Sequence, residues 1–352
     1  MSAVPNEMAS EALGDRVSLR FCGEQAEAAL SIVCKLAGAA PADEDDWARM
    51  FATEPYIRLK EREASVGRPF ADAEFRAFLL SSETRRQLPA LKQALAAWSQ
   101  LPLSAIASRA LEYLPASARI HARLFPVIKP TPNSFVRGSS DDAMVFLHLD
   151  PTLLMPQVEA LIAHELHHIG LFPFECEDDL RQDLPPPVRR AVGLMRDFRE
   201  GYAVLAAAGG PDVHPRHFDG VAERELWNRS MAQFGRDLKA IEKLLLDVVH
   251  ERLTLEQSQR IAMEFFDRQG PWYTVGWRMA ATVEQRFGRA LLLDCMLDPR
   301  LLLLCYNSAA IRAARDAGAE GLPIWSLELM RALVPVRGKE GAPILHRPDS
   351  VR

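Results

Sequence analysis

Apolar residues recur every three to four positions over most of the chain, so helix is the dominant expectation. The segment EQAEAALSIVCKLAG has helical spacing and stops at Gly38. ADEDDWARMFATEPYIRLKERE follows, then DAEFRAFLLSSETRRQLPALKQALAAWSQL, punctuated by Pro89. LSAIASRALEYLP closes an all-helical first third at Pro115, after a polar, loose start. The period then changes. In ARIHARLF, Ala118, Ile120, Ala122 and Leu124 alternate with Arg119, His121 and Arg123, the repeat of a half-buried strand. SFVRG reads as a short edge strand within a Pro-, Ser- and Gly-punctuated loop, and AMVFLHLD as a buried strand.

From Pro156 helices return. PQVEALIAHELHHIG is expected to end at Gly170 in a left-handed cap. An acidic, Pro-rich loop, FECEDDLRQDLPPP, leads to a helix over VRRAVGLMRDFREGYAVLAAAGG. Further helices are expected near 219–250, 254–268, 272–289 and 299–317, with IWSLELMRAL beyond them. The expected fold class is mostly α with a small β-sheet (α+β). Three regions follow: an N-terminal helical region (1–115), a region with the sheet and C-terminal helices (116–335), and a tail (336–352) with little to pack.

Composition narrows the class. Hydrophobic residues at 48% and charged ones at 25% of 352 suit a soluble globular protein. A net charge of -5 does not favour a nucleic-acid partner. The five cysteines are odd in number and none form a CxxC pair, which argues against a disulfide framework and a cysteine-bound zinc. The start lacks a basic segment followed by an apolar one, and no run approaches 18 apolar residues. A cytoplasmic protein with no membrane span is expected.

The chemistry concentrates in LIAHELHHIG, residues 161–170. His164, Glu165 and His168 fit H-E-x-x-H. At about 100° per residue, His164 and His168 share one helix face and can reach one ion, with Glu165 beside them. Ile162, Leu166 and Ile169 collect on the opposite face as the core anchor. His167 could pair with His164 instead, but Glu165 would then point away. The i, i+4 pair is preferred, with His167 flanking the cleft or bonding behind it.

Two histidines leave a zinc ion short of protein ligands. Glu200, on the next helix, is the candidate third ligand. Gly193, Ala203 and Ala207 on its face would allow close approach to the histidine helix. Asp197 is a candidate partner for a histidine N–H, or a lesser alternative ligand, and the acidic loop residues Glu175, Glu177, Asp178 and Asp179 are weaker still. Such a zinc would activate a water, with Glu165 as general base. Tyr273 and Arg278 in GPWYTVGWRMA are candidate donors to a developing oxyanion. His214 and His217 are outlying candidates for an electrophile.

The chain resembles the glutamate-type zincins, and more closely a bacterial family of uncharacterised zinc-dependent peptidases. AHELHHIG, REGYA and WYTVGWRMAATVEQRFGRALLLDCMLDPRLLLLCYNSAA carry the resemblance, and TEPYIRL and FRAFLLS extend it to roughly residues 30–315. The resemblance implies a mostly helical zincin-like catalytic core, zinc at His164, His168 and Glu200, and Glu165 as base. Against the thermolysin-like pattern, the gap to Glu200 is longer, and Val204 stands where an Asp would follow.

A zinc-dependent peptidase acting on a peptide or protein is therefore the leading expectation. An extended substrate would pair with SFVRG or AMVFLHLD, with Asn133 and Arg137 as candidate contacts to its backbone or carboxylate. The alternative is a helical binding or regulatory protein with a structural or relic zinc site, in which a further ligand excludes water. Hydrolysis of a non-peptide amide would look the same in sequence.

Overall fold

Alternation in residues 118–125 builds the centre of the sheet. In the computed structural model, which describes residues 14–38, 42–138, 142–175, 184–267, 269–317 and 321–333, β2 is Ile120–Val127. Four strands pair in the order β1-β2-β4-β3, with β1 at Val17–Phe21, β3 at Phe135–Arg137 and β4 at Ala143–His148. β1, β2 and β4 are parallel, and β3 is an antiparallel edge. Cross-strand aromatic pairs set the register on one face. Phe135 stacks on Phe146 at 4.8 Å, and Phe125 lies 5.4 Å from Phe146.

β1 was not expected from the sequence. Val17, Leu19 and Phe21 alternate with Ser18 and Arg20, but five residues after a polar start carry a weak signal. Pairing with β2 decides it, from Val17 opposite Ile120 to Phe21 opposite Leu124. A parallel pair requires a crossover, and here the crossover is the helical segment between the two strands. It comprises α1 (Glu24–Ala37), α2 (Glu44–Phe51), α3 (Glu54–Ser65), α4 (Asp72–Leu79), α5 (Ser82–Trp98) and α6 (Leu103–Leu111). The first third is therefore not all-helical. The buried Gln25 of α1 closes the crossover, donating to the Ile128 carbonyl and accepting from its N–H.

β4 lies inside the sheet, so AMVFLHLD offers no free edge, whereas β3 does. The α4–α5 break comes at Leu80–Ser81 and not at Pro89. The Ser81 side chain caps the Thr84 N–H, and the Thr84 hydroxyl donates to the Phe78 carbonyl. Pro89 sits within α5, where its missing N–H costs one bond to the carbonyl of Arg85, an exposed residue.

α7 runs Met155–Glu175, straight through Gly170. Gly170 is thus no left-handed cap. It is small because a Cβ there would meet Leu114 Cδ1 at 2.3 Å and Ile120 Cγ1 at 3.2 Å. The helix expected over 188–210 is two helices, α8 (Pro186–Met195) and α9 (Arg199–Ala208), joined by a 3-10 turn at Arg196–Phe198. Beyond them lie α10 (Val221–Ala232), α11 (Phe234–Val249), α12 (Leu255–Glu264), α13 (Pro271–Phe287), α14 (Arg289–Leu297), α15 (Pro299–Ala317) and α16 (Leu327–Leu333). The acidic residues 177–179 and the tail 336–352 lie outside the described residues, and of Glu175 only its place in α7 is described.

By contacts the chain divides into two units: Met1–Cys176 with Ala203–Val221, and Glu177–Tyr202 with Ala222–Arg352. The boundary expected near residue 115 falls inside the first unit, because β1 and β2 share a sheet. The first unit holds the sheet, α1–α7 and most of α9. In the second, α13 packs against α11, α14 and α15. Its core includes Phe198, Trp272 and Trp325, with the Phe198 ring 5.2 Å from Trp272 and 6.1 Å from Trp325. Among the described residues no helix is long and apolar enough to cross a membrane.

Candidate metal centre

α7 begins with Pro156 in its first turn, and the Gln157 side chain accepts from the Leu154 N–H, half of a capping box. Its buried side holds Val158, Ile162, Ala163, Leu166, Ile169 and Leu171. His164, Glu165 and His168 are half-buried and fall together on the other side. The sequence expectation for Ile162, Leu166 and Ile169 is met: they are 0%, 0% and 3% exposed, so the face bearing the polar groups is held in place by core packing.

His164 Nε2 and His168 Nε2 face each other at 3.1 Å, with ring centroids 4.7 Å apart and planes at 81°. Two nitrogens bound at 2.0–2.1 Å to one tetrahedral ion lie roughly 3.3 Å apart. The spacing therefore fits a shared ion. His167 does something else. It is fully buried, and its Nε2 lies 3.1 Å from the Tyr113 carbonyl oxygen. A carbonyl only accepts, so the Nε2 carries the proton, and this ring ties α7 to the end of α6.

Glu200 is the second residue of α9 and is 8% exposed. α9 is one continuous helix, with Arg199–Tyr202 grouped in the second unit and Ala203–Ala208 in the first, which also contains α7. One ligand atom each from His164, His168 and Glu200 all lie within 4.8 Å of one another. Two imidazoles and a carboxylate are a donor set suited to zinc. Among the described residues this is the one such group of three. Asp197 is outside it, half-buried in the 3-10 turn before α9.

The small-residue signal pointed to the wrong glycine. A Cβ at Gly193 meets nothing within 4 Å, whereas one at Gly201 would lie 2.1 Å from backbone atoms of Gly276 and Trp277. The close crossing is thus between α9 and α13, immediately after Glu200. Sequence inspection missed Gly201 because its partner glycine is distant in the chain. The glycines in REGYA and TVGWR were the available hint.

The remaining candidates lie on other elements. Tyr273 is half-buried in the first turn of α13, edge-on to Phe266 at 6.4 Å. Arg278 is half-buried farther along the same helix. His214 Nδ1 accepts from the Arg216 N–H and His217 Nδ1 lies 3.0 Å from the His214 carbonyl oxygen, so both rings brace one loop. Near the edge strand, Arg137 is engaged by Glu61 and the Arg58 carbonyl, and Asn133 accepts from Lys129. Lys129 is itself buried, and burial pushes its amine down to about 8.

A family model described as "Putative zinc dependent peptidase (DUF5700)" matches residues 47–315. The chain belongs to this family. The match covers about three quarters of the sequence and includes His164, Glu165, His168, Glu200 and Tyr273. The family description names both the metal and the reaction class that the donor set suits. No curated protein and no solved structure gives a significant match.

Proposed function

We propose that the protein is a zinc-dependent peptidase with a zincin-like core, in which His164, His168 and Glu200 hold the ion and Glu165 is the general base. The convergence of those three ligand atoms within 4.8 Å carries this reading. Membership of the family supports it. When bound, zinc lowers the pKa of a coordinated water towards neutrality and polarises the scissile carbonyl.

The protein's own groups do the rest. Glu165, next to His164 on the half-buried side of α7, takes a proton from the attacking water and delivers it to the leaving amine. Tyr273 donates a hydrogen bond to the developing oxyanion, which strengthens as charge builds. The outer strand β3 pairs with an extended peptide, because its unpaired side presents backbone donors and acceptors. A catalytic site of this kind keeps one coordination position open for water, whereas a structural site closes it with a fourth protein ligand.

The deciding experiment is metal analysis of the purified protein, paired with a peptide-library cleavage assay with and without chelator. One zinc per chain and chelator-sensitive cleavage are expected. Stoichiometric zinc with no cleavage of any peptide or protein would instead favour the structural-zinc alternative.

A further inference from the structure

The chain leaves β2 at Val127, passes β4 and enters β3 at Phe135 on the far side. This crossing, residues 128–134, reads IKPTPNS, in which Pro130 and Pro132 have no N–H to give. β3 makes three pairs with β4, from Phe135 opposite Phe146 to Arg137 opposite Met144. So short a strand takes much of its position from the segment that delivers it.

Lys129 holds that segment. It is 2% exposed, and its ammonium donates to the Thr131 carbonyl at 2.6 Å and to the Asn133 side-chain oxygen. The Thr131 carbonyl also accepts from the Asn133 N–H at 2.9 Å, which closes a tight turn. The same ammonium lies 5.6 Å from the centre of the Phe135 ring, and the Arg62 guanidinium lies 4.2 Å from it. One residue before that ring, the Ser134 hydroxyl accepts from the His148 N–H of β4 at 3.2 Å. Lysine is rarely buried to this degree, and here these contacts of its charge fall on the crossing and on the first ring of β3.

We propose that Lys129 is a positioning residue for the substrate: its ammonium fixes the crossing that sets the outer edge of β3 where an extended peptide pairs. This role presupposes the peptidase reading above and assigns the group that keeps its docking strand in place. Lys129 acts through β3 and needs no contact with the peptide.

The role has a pH signature. Burial lowers the Lys129 pKa to about 8, opposed by Glu63 and assisted by Arg62 and Arg68. Glu63 is itself paired with both arginines. On β4, burial and the Lys129 charge hold His148 below its usual range. Above about pH 8 the amine loses its charge, and its hydrogen bonds fall to roughly half their strength. The edge then loosens even as the fold gains stability from the loss of a buried charge. A lysine with a purely structural role would move both properties in one direction.

The test measures kcat, KM and zinc content for zinc-loaded wild type, Lys129→Met and Asn133→Ala, with a peptide from the cleavage library as substrate. Lys129→Met should raise KM about tenfold, the effect of one charge-assisted hydrogen bond, with kcat within about twofold and zinc unchanged. Asn133→Ala removes one acceptor and should raise KM by less. From pH 7 to pH 10 the wild-type KM should rise while resistance to urea increases, and both changes should be smaller in Lys129→Met. Unchanged KM in both variants, or parallel KM profiles against pH, overturns the proposal and leaves the peptidase reading standing. If Lys129→Met does not fold, an unchanged KM in Asn133→Ala overturns it alone. A wild type that holds zinc but cleaves no peptide removes the peptidase reading itself, and this role with it.

Discussion

His164 Nε2 and His168 Nε2 approach to 3.1 Å across one turn of α7, with their rings nearly perpendicular. Neither ring has to leave its helix-compatible position to share an ion. His168→Ala should therefore remove an organised ligand. Loss of a residue that merely orients a ligand weakens metal binding about 10–100-fold, so loss of the ligand should weaken it by more than about 100-fold. Glu200→Ala should act in the same direction. Zinc content after dialysis against a weak chelator measures both. Undiminished zinc in Glu200→Ala would move the third ligand elsewhere.

Glu165→Gln separates binding from turnover. Its side chain is outside the ligand group, so zinc should stay at one per chain. Cleavage should fall by about 10²–10⁴, the usual contribution of a positioned base. Full activity in this variant would remove Glu165 from the reaction.

Tyr273→Phe tests the oxyanion donor. The ring's contact with Phe266 is retained, and only the hydroxyl is lost. kcat should drop on the order of 10²-fold with KM little changed, as for loss of a single such donor. An unchanged kcat rejects the role.

Gly201→Ala addresses the support behind Glu200. The new Cβ would meet backbone atoms at 2.1 Å, which cannot swing aside as a side chain can. The cost should reach or exceed the roughly 1–3 kcal/mol typical of overpacking. Gly193→Ala is the matched control, because nothing lies within 4 Å of its Cβ; it should be stabilising by up to about 1 kcal/mol. Thermal unfolding of the two variants should separate in opposite directions from the wild type.

Lys129 gives a pH prediction. Burial lowers its pKa from 10.5 to about 8, so the unfolded chain holds that proton more tightly between these values. Stability from this residue should rise with pH through that window, and the full cost of burying the charge is present below it. The change has an upper bound on the order of 3 kcal/mol. Urea unfolding at pH 8 and pH 10 should show a steeper rise in the wild type than in Lys129→Met. Parallel slopes would mean that the amine titrates normally.

Much of the candidate centre was legible in the sequence. The i, i+4 spacing of His164 and His168 is enough to put both on one side of any helix. Ile162, Leu166 and Ile169 say which side is core, since local periodicity alone sets these angles. Likewise, the alternation in ARIHARLF settles a strand without reference to partners. Gly170 shows the limit of such signals. A glycine after a helical run has the composition of a cap, but this one is kept small by Leu114 and Ile120.

By itself the sequence determined the local periods, the strand–helix order around the histidines, and the two imidazoles with their neighbouring carboxylate. Tertiary structure alone decided that Val17–Phe21 is a strand, that the N-terminal helices are its crossover to β2, and that Gly201 is the close-packed glycine. It also brought Glu200 to the histidines. Those facts depend on contacts between residues far apart in the chain, and a repeat read along one segment carries no information about which distant segment will pack against it.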